Sequence, residues 1–199
     1  MKIYIIRHAE KESGNYYNPR LRHQDWPITA KGQTQAERLG DFFAERPVAA
    51  LYVSGYLRTQ QTAAPLADRL GLVPIIDERL NEIDNGLLEG LTEREVQTRF
   101  PDVWQAVQAR SADFRFPGGE TGEEVQARIS SLLEERRHSG KDTILITHEG
   151  LIRLTMCHVM GLPVYDRWNF AVDYCGIMEI VAIEDRKGWK LIRFNQLCL

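Results

Sequence analysis

Four short apolar runs most constrain what this chain can fold into: IYII at 3–6, ALYV at 50–53, PII at 74–76 and TILIT at 143–147. Strands that are apolar on both faces are typical of a parallel sheet with helices on its two sides, because both faces must then be buried. We therefore expect buried, mostly parallel strands at these four positions.

Two helical patterns lie between these runs. The first follows Thr29, a predicted N-cap, and the second follows Thr121, where Glu124 completes a predicted capping box. The apolar faces of the two helices carry Ala36, Leu39, Phe42 and Phe43 in the first, and Val125, Ile129, Leu132 and Leu133 in the second. Helices of this kind supply the layers that would cover the strands.

The last third of the chain adds a helix and two more strands. The helix is expected at about 150–160 and ends at Gly161, a usual stop signal. Two β-rich segments, CGIMEIVAI and WKLIRF, are separated by EDRKG and predict a hairpin or adjacent strands. With the loop FRFPGGETG at 114–122 and no repeat or long linker, we expect one mixed α/β domain over residues 1–199.

Composition and charge exclude several classes of protein. The formal net charge of -3 provides no basic field for nucleic acid or anionic lipid. No apolar run approaches the ~18 residues of a membrane span, and Arg7 interrupts the N-terminal run before it could act as a signal peptide. Cys157, Cys175 and Cys198 are too scattered for a disulfide framework or a thiolate zinc site. A cytoplasmic protein without a nucleic-acid or membrane partner is expected.

Basic side chains follow three of the predicted strands. Arg7 and His8 come after IYII, His148 comes after TILIT, and Arg58 begins the helix that follows ALYV. Since ligands of open α/β sheets bind beyond the carboxyl ends of the strands, we expect the two histidines on one rim, facing each other. A helix N-terminus with an arginine in its first turn attracts anions.

Each of these residues alone is more often a surface, capping or salt-bridging residue. Together, however, four basic groups on one rim would repel one another unless they hold an anion, and phosphate is the natural candidate. Two histidines flanked by two arginines make a poor metal site, so no metal is expected. Glu82, past the PII strand, is either a proton donor or a partner of Arg79 or another arginine.

The sequence resembles the histidine phosphatase superfamily, in the branch that includes cofactor-dependent phosphoglycerate mutases and related phosphatases. Six segments carry the resemblance in order along nearly the whole chain: IIRHAEKES, PITAKGQTQA, SGYLRTQQTA, LNEIDNGLLEG, FPGGET and THEGLIR. The resemblance implies a three-layer α/β sandwich with a mostly parallel central sheet, the phosphoglycerate mutase-like fold. It also implies a phosphorylated small molecule as substrate, with no cofactor required for hydrolysis.

By this resemblance, His8 is the nucleophile that becomes phosphorylated, and Glu82 is the general acid and base. Arg7, Arg58 and His148 would clamp the phosphoryl oxygens. Ser13 and Asn15 are further candidates for phosphate contact, because this family often uses an asparagine near its first motif. Aromatic residues in segments that could border the site are Tyr16, Tyr17, Trp26, Trp104 and Phe116.

The chain departs from the family pattern at two positions. Ala9 replaces the usual glycine of the first motif, and Glu149 replaces the glycine that usually follows the second histidine. A carboxylate beside a dianion pocket must point away, pair with Arg153 or Arg7, or influence which substrate is bound. Glu149 is therefore a candidate substrate-binding residue.

Three functions remain open from the sequence: a phosphomonoester hydrolase, a phosphoglycerate mutase and a non-catalytic phosphate-binding module. Mutases of this family are generally longer and carry an arginine-rich segment that is missing between Glu89 and Gly118, which favours the hydrolase. A binding module is disfavoured because His8 and Glu82 are both present. The physiological substrate stays open, as does the oligomeric state, for which a homodimer is one option.

Overall fold

The computed structural model describes residues 1–21, 23–184 and 188–198. Its strands are β1 (Lys2–Arg7), β2 (Tyr17–Asn18), β3 (His23–Gln24), β4 (Ala50–Val53), β5 (Ile75–Ile76), β6 (Thr143–Thr147), β7 (Ile177–Ala182) and β8 (Trp189–Gln196). Its α-helices are α1 (Ala30–Phe43), α2 (Leu57–Leu70), α3 (Glu93–Arg99), α4 (Pro101–Ala109), α5 (Gly122–Ser139) and α6 (Glu149–Met160). Short 3₁₀ turns occupy Glu78–Leu80, Gly86–Leu88 and Val164–Asn169.

Within the described residues, a central sheet has the strand order β5-β4-β6-β1-β7-β8. The pairs from β5 to β1 are parallel, whereas β7 runs antiparallel to both β1 and β8. A separate small hairpin is formed by β2 and β3. The predicted α/β class with a mostly parallel central sheet is therefore confirmed, and the two β-rich C-terminal segments are adjacent antiparallel strands.

Strand β1 shows why the central runs are apolar on both faces. Ile3 and Ile5 point into a core cluster built with α5 and α6. Tyr4 and Ile6 point to the opposite side, into a cluster built with α1 and α2. Because side chains alternate along a strand, one apolar run supplies both cores, and helices cover the sheet on both sides.

The predicted caps fix where the covering helices begin. The Thr29 hydroxyl accepts a hydrogen bond from the Gly32 N–H at 2.9 Å and caps α1. Thr121 and Glu124 form the predicted capping box at the start of α5. Gly161 ends α6 in the left-handed conformation, which glycine adopts without steric cost.

One strand differs from the expectation of burial. Ile75 and Ile76 of β5 are 47% and 57% exposed, because β5 is a two-residue edge strand that pairs only with β4 in the sheet order. Its apolar side chains are therefore at the edge of the sheet. Of the predicted turn EDRKG at 184–188, residues 185–187 lie outside the described residues.

Two further observations bear on the classes considered from the sequence. No helix among the described residues is long and apolar enough to cross a membrane. Cys157, Cys175 and Cys198 are free thiols, and burial raises the pKa of Cys157 to about 11. These thiols are therefore uncharged at neutral pH.

Candidate active site

The carboxyl ends of β1 and β6 bring the two histidines together. The His8 N–H donates to the Thr147 carbonyl at 2.9 Å, which ties the end of one strand to the end of the other. The His8 and His148 rings are 5.2 Å apart between centroids. The prediction that the histidines share a rim and face each other is confirmed, and both are buried.

The surroundings of His8 determine its protonation. Its Nδ1 is 2.8 Å from the Ala9 carbonyl oxygen, which can only accept, so Nδ1 carries the proton and Nε2 keeps its lone pair. Burial, followed by the nearby charge of Arg58, lowers the pKa of His8 well below its usual 6.5. At neutral pH the imidazole is therefore neutral, which is the form able to act as a nucleophile.

A chain of hydrogen bonds holds His148 in the other tautomer. Arg58 Nη2 donates to His148 Nδ1 at 3.0 Å, and because a guanidinium has no acceptor, Nδ1 must be unprotonated. His148 Nε2 then donates to the Ser54 hydroxyl at 2.8 Å, and Ser54 is 2.8 Å from the Thr59 hydroxyl. Burial and Arg58 lower the pKa of His148 well below 6.5. In this arrangement His148 orients Arg58.

Arg58 and Arg7 supply the fixed positive charges. Arg58 lies in the first turn of α2, is buried, and is 3.8 Å from Asp25. Arg7 donates to the Val172 carbonyl, and its guanidinium lies 4.2 Å from the ring centroid of Tyr174. The Nε–H groups of both arginines are buried without an acceptor among the described residues, so each has donor capacity left for an anion.

The two departures from the family pattern are both accommodated. The Ala9 side chain is buried, and its N–H donates to the Thr62 hydroxyl at 2.9 Å. Glu149 Oε2 is 3.0 Å from Arg7 Nη2, and its other oxygen accepts from Arg153. Glu149 thus pairs with both arginines that the sequence offered, and its charge is compensated on two sides.

Glu82 is in the loop that follows the 3₁₀ turn Glu78–Leu80 and lines the same cavity as His8. Its carboxylate accepts from the Ile83 N–H at 3.0 Å and lies 3.4 Å from the Gly150 N. Arg79, the alternative partner considered from the sequence, binds Asp77 and Glu135 instead. The carboxylate is held by backbone N–H groups and faces the site without an arginine partner among the described residues.

The structure does not bring Ser13 and Asn15 to this cavity. Both are exposed, and the Asn15 side-chain oxygen accepts from Gln24 Nε2 at 3.1 Å. Neither is among the described residues that line the cavity around His8. The geometry therefore gives no support for a phosphate contact from either side chain.

The cavity has a volume of about 200 Å³ and contains residues that sequence reasoning missed. Besides those already described, it is lined by Lys11, His23, Gln24, Trp26, Tyr56, Ile83, Asn85 and Glu89. Of the aromatic residues suggested from the sequence, Trp26 lines it. The β2–β3 hairpin supplies one wall, but its strands have only two residues each and are too short to produce a period-2 signal.

His23 connects this hairpin to the loop that carries Glu82. Its ring nitrogens lie 3.5 Å from Asp84 and 3.6 Å from Glu89. Hydrogen bonding to Glu89 is the main cause that raises the pKa of His23, while the same contact lowers the pKa of Glu89. In the part of the chain that the structure describes, no cluster of three or more His, Cys, Asp or Glu side chains is arranged to hold a metal ion.

Comparisons with known proteins agree with this geometry. The model of the histidine phosphatase superfamily (branch 1) matches residues 3–197. Putative phosphoserine phosphatase 2 of Hydrogenobacter thermophilus is 30% identical over 99% of this chain and 96% of its own length. The probable phosphoglycerate mutase GpmB of Enterobacter sp. (strain 638) is 29% identical over 95% of this chain and 90% of its own length.

Solved structures show the same fold. Mycobacterial hydrolase 1 superimposes with a TM-score of 0.82 at 25% identity, covering 98% of each chain. A mycobacterial glucosyl-3-phosphoglycerate phosphatase in complex with inorganic phosphate superimposes with a TM-score of 0.83 at 23% identity, covering 99% of this chain and 98% of its own. Since the family model also spans nearly every residue, the chain belongs to the histidine phosphatase superfamily.

Proposed function

We propose that the protein hydrolyses phosphomonoesters of small molecules through a phosphohistidine intermediate on His8. The observation that carries the proposal is the state of His8: buried, neutral, with Nδ1–H bonded to the Ala9 carbonyl and the Nε2 lone pair available beside two arginines. A phosphohistidine divides hydrolysis into two displacements, each easier than direct attack by water.

In the first step, His8 Nε2 attacks phosphorus while the bond from phosphorus to the ester oxygen breaks. Glu82 donates a proton to the departing oxygen, which leaves as an alcohol. In the second step, Glu82 takes a proton from water as the water oxygen attacks phosphorus. The bond from phosphorus to Nε2 then breaks, so that inorganic phosphate is released and His8 recovers its lone pair.

Arg7 and Arg58 stabilise the charge that spreads over the equatorial oxygens of the transferring group. The tautomer of His148 determines whether His148 or Arg58 donates the hydrogen bond between them in the free enzyme. Its N–H is directed to Ser54, so Arg58 is the donor in the free enzyme. A bound dianion favours the protonated imidazole, and His148 would then donate from Nδ1 to a phosphoryl oxygen.

The segment that mutases use to enclose their substrate lies away from the cavity in this chain, which favours hydrolysis over mutase activity. Residues 90–117, all of which the structure describes, form α3, α4 and connecting loops. None of them lines the cavity around His8. Relatives named as phosphoserine phosphatases and as a probable phosphoglycerate mutase make O-phosphoserine and 3-phosphoglycerate the first substrates to test.

The test is turnover of a panel of phosphomonoesters in excess chelator, with 3-phosphoglycerate assayed both alone and with 2,3-bisphosphoglycerate. We expect release of phosphate without added metal, and inhibition by vanadate, which mimics the five-coordinate transition state. A strict requirement for magnesium or zinc would contradict the mechanism. Isomerisation that is faster than phosphate release would identify a mutase, and binding without turnover would identify a binding module.

A further inference from the structure

Lys11 is a cavity residue that the mechanism above does not use. It is partly buried, it lines the cavity with His8, and its Nζ lies 3.5 Å from the ring centroid of Trp26. Among the described residues, no carboxylate lies within ion-pairing distance of this ammonium. The other two cations of the cavity are compensated, Arg7 by Glu149 and Arg58 by Asp25.

The carboxylates of the cavity are already engaged. Glu149 binds Arg7 and Arg153, Glu89 contacts His23 and accepts from the Gln24 N–H at 3.1 Å, and Glu82 is held by backbone N–H groups. Lys11 therefore faces the cavity with an unpaired charge. A partly buried ammonium without a counter-charge is unfavourable, and attraction to the Trp26 face offsets only part of that cost.

Lys11 and Arg58 lie near the same aromatic ring, that of Trp26. The backbone of Lys11 bridges to Ile28, two residues after Trp26. The Arg58 guanidinium lies 5.9 Å from the same Trp26 ring. A substrate whose phosphoryl group is held by Arg58 would thus also meet the Lys11 ammonium, on the side of the cavity formed by Trp26.

We propose that Lys11 binds a second anionic group of the substrate, a carboxylate a few bonds from the ester oxygen. The protein then selects phosphorylated hydroxy acids over phosphates of neutral alcohols. A carboxylate suits the site, because it carries the negative charge that the Lys11 ammonium lacks as a partner among the described residues. This inference rests on the proposed function, since it concerns the substrate of the same site.

The test compares 3-phosphoglycerate with glycerol 3-phosphate, in which a CH₂OH group replaces the carboxylate. For Lys11→Met we expect kcat/KM to fall about 10- to 100-fold with 3-phosphoglycerate, the range for losing a hydrogen bond to a charged group. With glycerol 3-phosphate the change should stay under about 3-fold. The control is Lys190→Met, an exposed lysine on β8 far along the chain, which should leave both values unchanged.

Two results would overturn the inference. An equal loss with both substrates would mean that Lys11 acts on the phosphoryl group itself. No loss with either would mean that Lys11 only packs on Trp26. In both cases the hydrolase proposal stands. A binding measurement keeps the two proposals separate: calorimetry on His8→Ala should show tighter binding of 3-phosphoglycerate than of glycerol 3-phosphate, and Lys11→Met should remove the difference.

The pH dependence provides a second arm. Burial, followed by Arg58 and Arg7, lowers the pKa of Lys11 to about 8, while Glu89 raises it. A lowered lysine pKa means that the ammonium is lost as the pH rises through about 8. The preference for 3-phosphoglycerate in kcat/KM should therefore decline above that pH in the wild type and persist to about pH 9.5 in Lys11→Arg, because a guanidinium stays charged.

Both enzymes share the other charged or titratable groups that line this cavity, so the comparison accounts for them: Arg7, His8, His23, Tyr56, Arg58, Glu82, Glu89 and Glu149. If the wild type and Lys11→Arg keep the same preference across this range, the ammonium of Lys11 is not the group that binds the carboxylate.

Discussion

Replacing Glu82 by glutamine tests whether Glu82 acts as the general acid and base or only stabilises its loop. The substitution keeps the shape and removes the proton that the leaving oxygen needs. An amide oxygen can still accept from the Ile83 N–H, while the longer contact to the Gly150 N, at 3.4 Å, is weakened. The cost to the free energy of unfolding should therefore stay below about 1 kcal/mol.

The catalytic cost should be much larger than this structural cost. General acid catalysis typically contributes about 10²- to 10⁴-fold, which corresponds to roughly 3 to 5.5 kcal/mol of barrier. We expect a loss of that size for an alkyl phosphate such as glycerol 3-phosphate. A nitrophenyl phosphate should behave differently, because nitrophenolate leaves without a proton and the first step is nearly spared.

The assay is stopped-flow release of nitrophenolate compared with steady-state release of phosphate. With the nitrophenyl ester, Glu82→Gln should give a burst of nitrophenolate followed by slow turnover, because the phosphohistidine lacks the base that activates water. Glu78→Gln is the matched control: it removes an exposed carboxylate four residues earlier in the chain and should change neither rate.

A uniform loss across alkyl and nitrophenyl esters without a burst would refute the role of Glu82. A thermal melt separates this outcome from simple destabilisation. The next carboxylates to examine would then be Asp84 and Glu89, both of which contact His23.

The remaining predictions concern the nucleophile, the clamp and the support of the acid. His8→Ala should abolish an acid-labile phosphoenzyme trapped by rapid quench. Because burial lowers the pKa of His8, labelling of the wild type should persist at a pH somewhat below 6.5. Loss of labelling at that pH would contradict a neutral buried nucleophile. Arg58→Lys should reduce kcat/KM by roughly 100-fold, since the point charge of an ammonium cannot reproduce the forked N–H donors that a guanidinium offers to phosphoryl oxygens, and a rate near that of the wild type would argue against the clamp. Gly150→Ala would place a methyl group 2.6 Å from Glu82 Oε1, so it should displace the carboxylate and slow alkyl phosphates more than nitrophenyl phosphate; equal slowing would show that Gly150 matters for folding instead.

Much of the architecture could be predicted because it depends on local chemistry. Runs such as IYII and TILIT must be buried on both faces wherever they occur, and hydroxyl or carboxylate caps such as Thr29 and Thr121 mark helix starts within a few residues. The exposed β5 shows the limit of this argument. An apolar run of three residues has the same composition at the edge of a sheet as at its centre, and only the strand order distinguishes the two.

The sequence by itself determined which chemical groups follow the strand ends: Arg7, His8, Arg58 and His148. That result needed only the rule that parallel strands present their carboxyl ends on one rim. Tertiary structure decided the protonation states, because they depend on partners far along the chain. His148 receives its hydrogen bond from Arg58, 90 residues away, and donates to Ser54, 94 residues away.

Tertiary structure also decided the charge balance of the cavity. Whether Glu149 repels a phosphate or neutralises an arginine depends on where Arg7 and Arg153 point. In the part of the chain that the structure describes, Lys11 has no carboxylate partner, while Glu149 and Glu89 have other partners. Such pairings are set by distances of a few ångströms between segments that are remote in sequence, and Coulomb energies change steeply over those distances. Residue type and spacing alone do not specify these pairings.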